Sequence, residues 1–304
     1  LMVYKPLDFR GQGRAAIAIG NPDTADNTAV LVPGTANSVA DGWLSGNEIT
    51  NLYTETRAAT GAGRTAAVVA WMGYDAPDSI VDPRVAQTTL ARRGGALLAA
   101  DVNALKTTHR SGPSHVTVVG HSYGTTTVAD AAAGYGMRAD DIVLVGSPGT
   151  DLARTASDFH LPAGGHVYVG SAATDPITNL AGMPQHAPVL PIEPIGLGAD
   201  PAAEGFGSTR FKAEVPGWTW QPWSDHDDYF ESGSESLYSM ADVTSGHGAD
   251  LEAHQMTAPH RDGILGPLAA RLGFPDWSVP LMDPELLRPA TAGNYHVPPE
   301  VAGR

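Results

Sequence analysis

No cysteine occurs among the 304 residues, which removes a disulfide framework and a thiol nucleophile and leaves the compartment open. Basic residues are scarce: 18 Lys and Arg face 33 Asp and Glu, a net charge of −15. Phosphate-rich surfaces repel such a chain, so neither nucleic acid nor an anionic membrane is an expected partner, and the acidic balance serves solubility. Long apolar runs are missing as well, none approaching the roughly 18 residues of a spanning helix. Leu1 is not followed by a charged region and an apolar signal core. The expectation is a soluble domain without stable membrane insertion, cytoplasmic or secreted with any signal peptide already removed. No Walker sequence occurs, and Gly11-Gln12-Gly13-Arg14-Ala15-Ala16 precedes a strand where a dinucleotide loop would follow one, so no cofactor is expected.

Short β-branched runs alternate with Ala-rich segments, the pattern of βαβ units on a mostly parallel sheet. Strands are expected near Ala15 to Ile19, Thr28 to Val32, Ala66 to Trp71, Val116 to Val119, Ile142 to Val145, His166 to Val169 and Thr209 to Val215. The first two, separated by Asn21-Pro22-Asp23, read as an antiparallel hairpin. Apolar spacing of three and four residues predicts helices over Asn47 to Thr60, Pro83 to Thr108, Ser122 to Ala133 and Glu235 to Thr244, with Asp82 capping Pro83. The length suits one α/β domain over 1–304. Within it, 176–208 is rich in Pro, Gly and Ala and reads as an irregular covering loop, and the Pro-rich tail 274–304 is expected over the surface.

Gly120-His121-Ser122-Tyr123-Gly124 joins the strand run Val116 to Val119 to the small-residue helix Thr125 to Ala133. A serine hydroxyl is a poor nucleophile until a tight turn presents it to a base and to backbone N–H groups that receive an oxyanion. Glycines two before and two after the serine permit that turn, since a side chain there would strike the neighbouring strand or the helix start. The plainer alternative is a strand-to-helix turn that merely contains serine. The Tyr123 N–H, at the positive end of the helix, is the first expected oxyanion donor. Pro33 has no N–H, so Gly34, Thr35 or Ala36 must supply the second.

With the elbow, the segments Val32-Pro33-Gly34-Thr35, Gly146-Ser147-Pro148-Gly149 and His226-Asp227-Asp228-Tyr229-Phe230 stand in a fixed order. This set resembles the α/β-hydrolases, and more narrowly their actinobacterial serine-hydrolase branch formerly labelled a domain of unknown function. The resemblance spans most of the chain. It implies the α/β-hydrolase fold, a mostly parallel sheet with helices on both faces, and Thr35 as the second oxyanion donor. It also implies the order serine, acid, histidine. Asp175 fits the acid, leaving the strand His166 to Val169 through Ser171-Ala172-Ala173-Thr174; an Asp-Pro turn is the plain alternative and Asp151 the competitor. His226 follows the last strand in a loop before a helix and is the expected base, with His247 one element too late. Asp225-His226-Asp227-Asp228 offers metal-ligand chemistry, but adjacent loop residues rarely converge on one ion, so no metal is expected.

Gly146 to Gly165 is too short for a large helical lid domain, so any cover must come from 176–208 or the tail. Trp218, Trp220 and Trp223 could wall an acyl or aryl group, or pack in the core; Met72 and Tyr123 are expected at the rim. The expected activity is cleavage of carboxylic esters, with a small-molecule or lipid-like ester as substrate, through an acyl-enzyme on Ser122. The alternatives are acyl transfer from the same intermediate and a catalytically retired binding scaffold.

Overall fold

The computed structural model describes residues 2–182, 197–215, 222–261 and Asp283, with the backbone alone at 222–224. Eight strands form one sheet: β1 (Val3–Lys5), β2 (Arg14–Ile19), β3 (Asn27–Val32), β4 (Ala66–Met72), β5 (His115–His121), β6 (Asp141–Val145), β7 (Val167–Gly170) and β8 (Thr209–Phe211). Their spatial order is β1-β2-β4-β3-β5-β6-β7-β8. β2 runs antiparallel to β1 and β4, and every later pairing is parallel. Parallel strands covered on both faces need continuous apolar sequence, and β4 (Ala-Ala-Val-Val-Ala-Trp-Met) is buried at every position.

The helices are α1 (Asn47–Thr60), α2 (Thr89–Thr108), α3 (Tyr123–Tyr135), α4 (Pro222–Asp227) and α5 (Glu235–Thr244). α2 packs on α3, and α1 packs on α5. Alternation along β5 shows that the pairs lie on opposite faces. Thr117 Oγ1 donates to the Val243 carbonyl of α5 at 3.5 Å, whereas a Cβ on Gly120 would lie 2.8 Å from Thr125 Cα in α3. Among the described residues no helix is long and apolar enough to cross a membrane.

Three local expectations are corrected. β2 and β3 are not a hairpin, because β4 lies between them, with Ala16 opposite Trp71 and Val30 opposite Val69. Strand β4 is buried on both faces and needs hydrogen-bonding partners along both edges, which outweighs proximity in sequence. The helix expected from Pro83 is a single 3₁₀ turn (Pro83–Ala86), capped by Asp82 accepting the Arg84 N–H at 2.9 Å; extended Gln87 interrupts it before α2 begins. β8 ends at Phe211, after which the Lys212 N–H bonds the Met256 carbonyl at 2.8 Å. Edge strand β1, largely exposed and three residues long, carried no periodic signal. Of the irregular segment, 183–196 lies outside the described residues; the remainder holds a 3₁₀ turn, Thr178–Leu180, and an isolated bridge from Ala199 to Thr150. The tail 274–304 lies outside them too, apart from Asp283.

Candidate active site

β5 delivers Ser122 to the carboxyl edge of the sheet, and α3 begins at the next residue. Between them Ser122 adopts φ 54°, ψ −131°, a region that costs a side-chain-bearing residue about 1–3 kcal/mol and persists only where its surroundings enforce it. Three contacts enforce it. The Ser122 N–H bonds the Val145 carbonyl at 3.0 Å, locking the turn to β6. A Cβ on Gly124 would come within 2.5 Å of the Pro33 carbonyl oxygen, so only glycine lets the turn pass β3. At Gly34 a Cβ would lie 2.5 Å from Ser122 Cβ and 3.0 Å from its Oγ.

The next partner arrives from far along the chain. His226 sits in α4, one turn of helix where a loop was expected, and its Nε2 is 2.9 Å from Ser122 Oγ. Its Nδ1 lies 2.9 and 3.1 Å from the two carboxylate oxygens of Asp175. Asp175 leaves β7 after four residues and is completely buried. Burial pushes its pKa up, but the facing His226 and hydrogen bonds from His226, the Tyr229 hydroxyl (2.8 Å) and the Ile177 N–H (2.8 Å) outweigh burial and leave it below the usual carboxylate value. Asp175 is thereby held as an anion beside the imidazole.

His121 braces the same ring from behind. Burial, reinforced by the nearby His226, lowers its pKa to about 4, so it is neutral near pH 7. In that state its Nε2–H donates to the His226 carbonyl at 2.8 Å, and the two rings lie 5.0 Å apart. Gly146, at φ +63°, makes room for this packing: a Cβ there would be 3.1 Å from His226 Nδ1 and 3.0 Å from the Tyr229 ring.

On the other side of Ser122, the Tyr123 N–H opens α3 and has no acceptor within the helix. Of the three donors considered in the loop after β3, Ala36 is spent on the Pro77 carbonyl at 2.8 Å. The N–H groups of Gly34 and Thr35 have no backbone acceptor among the described residues. Asn37 fixes this loop by donating to the Gly34 and Thr35 carbonyls at 3.2 and 3.0 Å, and the Tyr74 hydroxyl holds the Pro33 carbonyl at 2.7 Å.

Other expected residues lie elsewhere. Asp151 pairs with Arg92 at 2.6 Å, and His247 Nδ1 with Ser245 Oγ at 2.9 Å. Asp225 accepts from the Thr174 hydroxyl and Asp227 is exposed, so the acidic run diverges; among the described residues no group of three or more His, Asp or Glu could hold a metal. Met72 is a core residue at 1% exposure and not at the rim, because its strand is interior and a 3₁₀ turn, Trp43–Ser45, covers its end. The Tyr123 ring is buried as well, its hydroxyl donating to the Gln87 carbonyl and accepting the Ala91 N–H at 3.2 Å, which ties α3 to α2. Trp218 and Trp220 lie outside the described residues; Trp223 falls in α4. The roles of Tyr229, His121 and Asn37 were missed. Only Tyr229 carried a usable signal, its three-residue offset from His226, which puts both on one side of a helical turn.

A sequence model of a family described as alpha/beta hydrolase matches residues 8–185, more than half of the chain, and the protein belongs to that family. An uncharacterized protein of Mycobacterium tuberculosis is 50% identical over 312 residues, covering 95% of this chain and 46% of its own length. The chain thus spans about half the length of that relative. Another uncharacterized protein of the same organism is 32% identical over 171 residues, covering 54% of this chain and 62% of its own. Among solved structures, a Bacillus cereus carboxylesterase is similar at a TM-score of 0.37 and 14% identity, covering 57% of this chain and 75% of its own. A lipase/esterase from Lactobacillus plantarum gives 0.34 and 17%, covering 58% and 81%.

Proposed function

We propose that this protein is a serine hydrolase that cleaves carboxylic esters through an acyl-enzyme on Ser122. The observation that carries this reading is the unbroken hydrogen-bonded line from Ser122 Oγ through both nitrogens of His226 to the buried Asp175, at 2.9 Å on each side. In that line Ser122 attacks the ester carbonyl while His226 Nε2 takes its proton. Asp175 holds the ring in the tautomer with the proton on Nδ1 and stabilises the imidazolium that forms. The oxyanion falls to the N–H groups of Tyr123 and Thr35, a single such donor being worth about 2.7–4 kcal/mol in the transition state. Collapse expels the alcohol, which receives the proton from His226. Water, deprotonated by the same nitrogen, then releases the acid and regenerates the serine.

The connection between β6 and β7 holds a single 3₁₀ turn, Ala156–Phe159, and no large domain, which favours a site covered by loops, suited to small-molecule or lipid-like esters. Fluorophosphonate labelling together with hydrolysis of p-nitrophenyl esters of graded chain length tests the reading. Wild type is expected to label and turn over, and Ser122→Ala to do neither. Equal labelling of both proteins would remove Ser122 from the mechanism, and an unlabelled, inactive wild type would remove the reading as a whole.

A further inference from the structure

Behind the acid loop lies a buried ion cluster that the mechanism above does not use. Arg210 of β8 is 1% exposed, Arg261 3% and Asp283 4%, so three formal charges sit in the interior together. Asp283 faces both guanidiniums. Arg210 Nη2 lies 2.8 and 2.9 Å from its two carboxylate oxygens, and Arg261 Nε lies 2.7 Å from one of them. Arg261 also has Asp200 at 3.6 Å. The acidic neighbours reinforce the Arg261 charge against burial, raising its pKa.

What the two arginines do with their remaining donors gives the cluster its meaning. Arg210 Nη2 donates to the Ser171 carbonyl at 2.7 Å, the first residue after β7. Arg261 Nη1 and Nη2 donate to the carbonyl and hydroxyl of Thr178, at 3.0 and 2.7 Å. The Thr178 hydroxyl in turn donates to the Asp175 carbonyl at 3.1 Å. The loop carrying Asp175 is therefore pinned at both ends, once by each guanidinium. Asp283, which bonds both guanidiniums, lies 22 residues beyond Arg261, in a part of the chain otherwise outside the described residues.

We propose that Asp283 is a positioning residue of the active site: by clamping Arg210 and Arg261 together it fixes the Ser171–Thr178 loop and so the placement of Asp175 against His226. This rests on the serine-hydrolase reading of Ser122, His226 and Asp175. A carboxylate bridging two charged guanidiniums suits the task because planar groups set its geometry, and a shift of about 1 Å in a catalytic group can cost on the order of 10²-fold in rate.

Two variants of the full chain test it, Asp283→Asn and Thr178→Val. Thr178→Val leaves both ion pairs intact and cuts the link to Asp175, so it remains informative if loss of the Asp283 charge unfolds the protein. For folded variants, judged by circular dichroism and thermal unfolding, kcat on the best p-nitrophenyl ester is expected to fall by roughly tenfold or more with KM changed less than about twofold. The acid limb of the pH profile is expected to move, and the low-field proton resonance of the His226 Nδ1–H to broaden or shift. Wild-type kcat, pH profile and resonance in the folded variants would reduce Asp283 to a mere anchor of the chain and overturn the proposal. The resonance is read without turnover, so it decides the positioning role even where a wild type inert to esters and fluorophosphonate has refuted the hydrolase reading.

Discussion

Ser122 occupies a backbone conformation that most residues avoid, and everything touching it is built to tolerate that. Gly34 is the most exposed to test. Gly34→Ala would put a methyl 2.5 Å from Ser122 Cβ and 3.0 Å from the nucleophilic oxygen, so activity is expected to drop at least about 10²-fold and stability by about 1–3 kcal/mol, as measured by kinetics beside urea unfolding. Tyr229→Phe tests the support of the acid. Its hydroxyl donates to Asp175 and accepts the Ala172 N–H at 3.0 Å, and a hydrogen bond to a charged group is worth about 1.5–3 kcal/mol. Without it the Asp175 pKa rises, kcat is expected to fall about tenfold, and the acid limb of the kcat profile to move to higher pH. The sign for stability follows from the same shift. Asp175 is depressed in the folded state, so its contribution is complete above the unfolded value near 3.9 and is lost as pH falls through the folded value. His121 is also depressed, to about 4, so stability should decline as pH falls from about 6.5 towards 4. His121→Gln is expected to flatten that part of a pH series of thermal midpoints.

At the scale of elements, glycine on α2 lets that helix pack closely on α3. A Cβ on Gly95 would lie 2.9 Å from the Ala131 nitrogen, so Gly95→Ala should cost about 1–3 kcal/mol by urea unfolding, more than the roughly 1 kcal/mol that alanine gains in helix propensity. Next to that contact Asp130 is fully buried, with Oδ1 accepting the Leu152 N–H at 3.2 Å and Oδ2 unpartnered among the described residues. Burial, aided by Asp151, raises its pKa to about 8. A raised carboxyl contributes fully below its unfolded value and loses that contribution as pH rises through the folded one. Asp130→Asn removes the loss, so its stability advantage over wild type, followed by urea unfolding across a pH series, should grow between about pH 4 and 8 to on the order of a few kcal/mol. The irregular elements follow the same logic of satisfaction: the acid loop has its Ala173 N–H on buried Glu214 at 2.5 Å and its Thr174 hydroxyl on Asp225.

For the molecule as a whole, the family assignment and the eight-stranded sheet agree, while the chain covers 46% of the length of its mycobacterial relative. We propose that 1–304 behaves as one domain. Asp283 contacting Arg210 on β8 supports it, since the contact ties a late residue into the sheet. One cooperative thermal transition is expected, with circular dichroism and intrinsic fluorescence coincident; two separated transitions would divide the chain.

Much of this is legible in the amino-acid sequence. Seven strand cores, four helices and the turn at Ser122 could be read because burial on both faces demands apolar runs and a strained turn demands glycine at defined offsets. Asp175 and His226 were reached through the order of motifs, and the pairing of β2 with β4 was misread because hydrogen-bond partners are chosen in space. Met72 and Tyr123 were misplaced for a related reason: a residue at a strand or helix end shows its type in sequence but not what covers it. The sequence alone determined which groups are available and which local conformations they favour. Only the tertiary structure decided which of them meet, because the sequence separations of 104 from Ser122 to His226, and of 73 from Arg210 to Asp283, carry no local signal of distance until the sheet closes them.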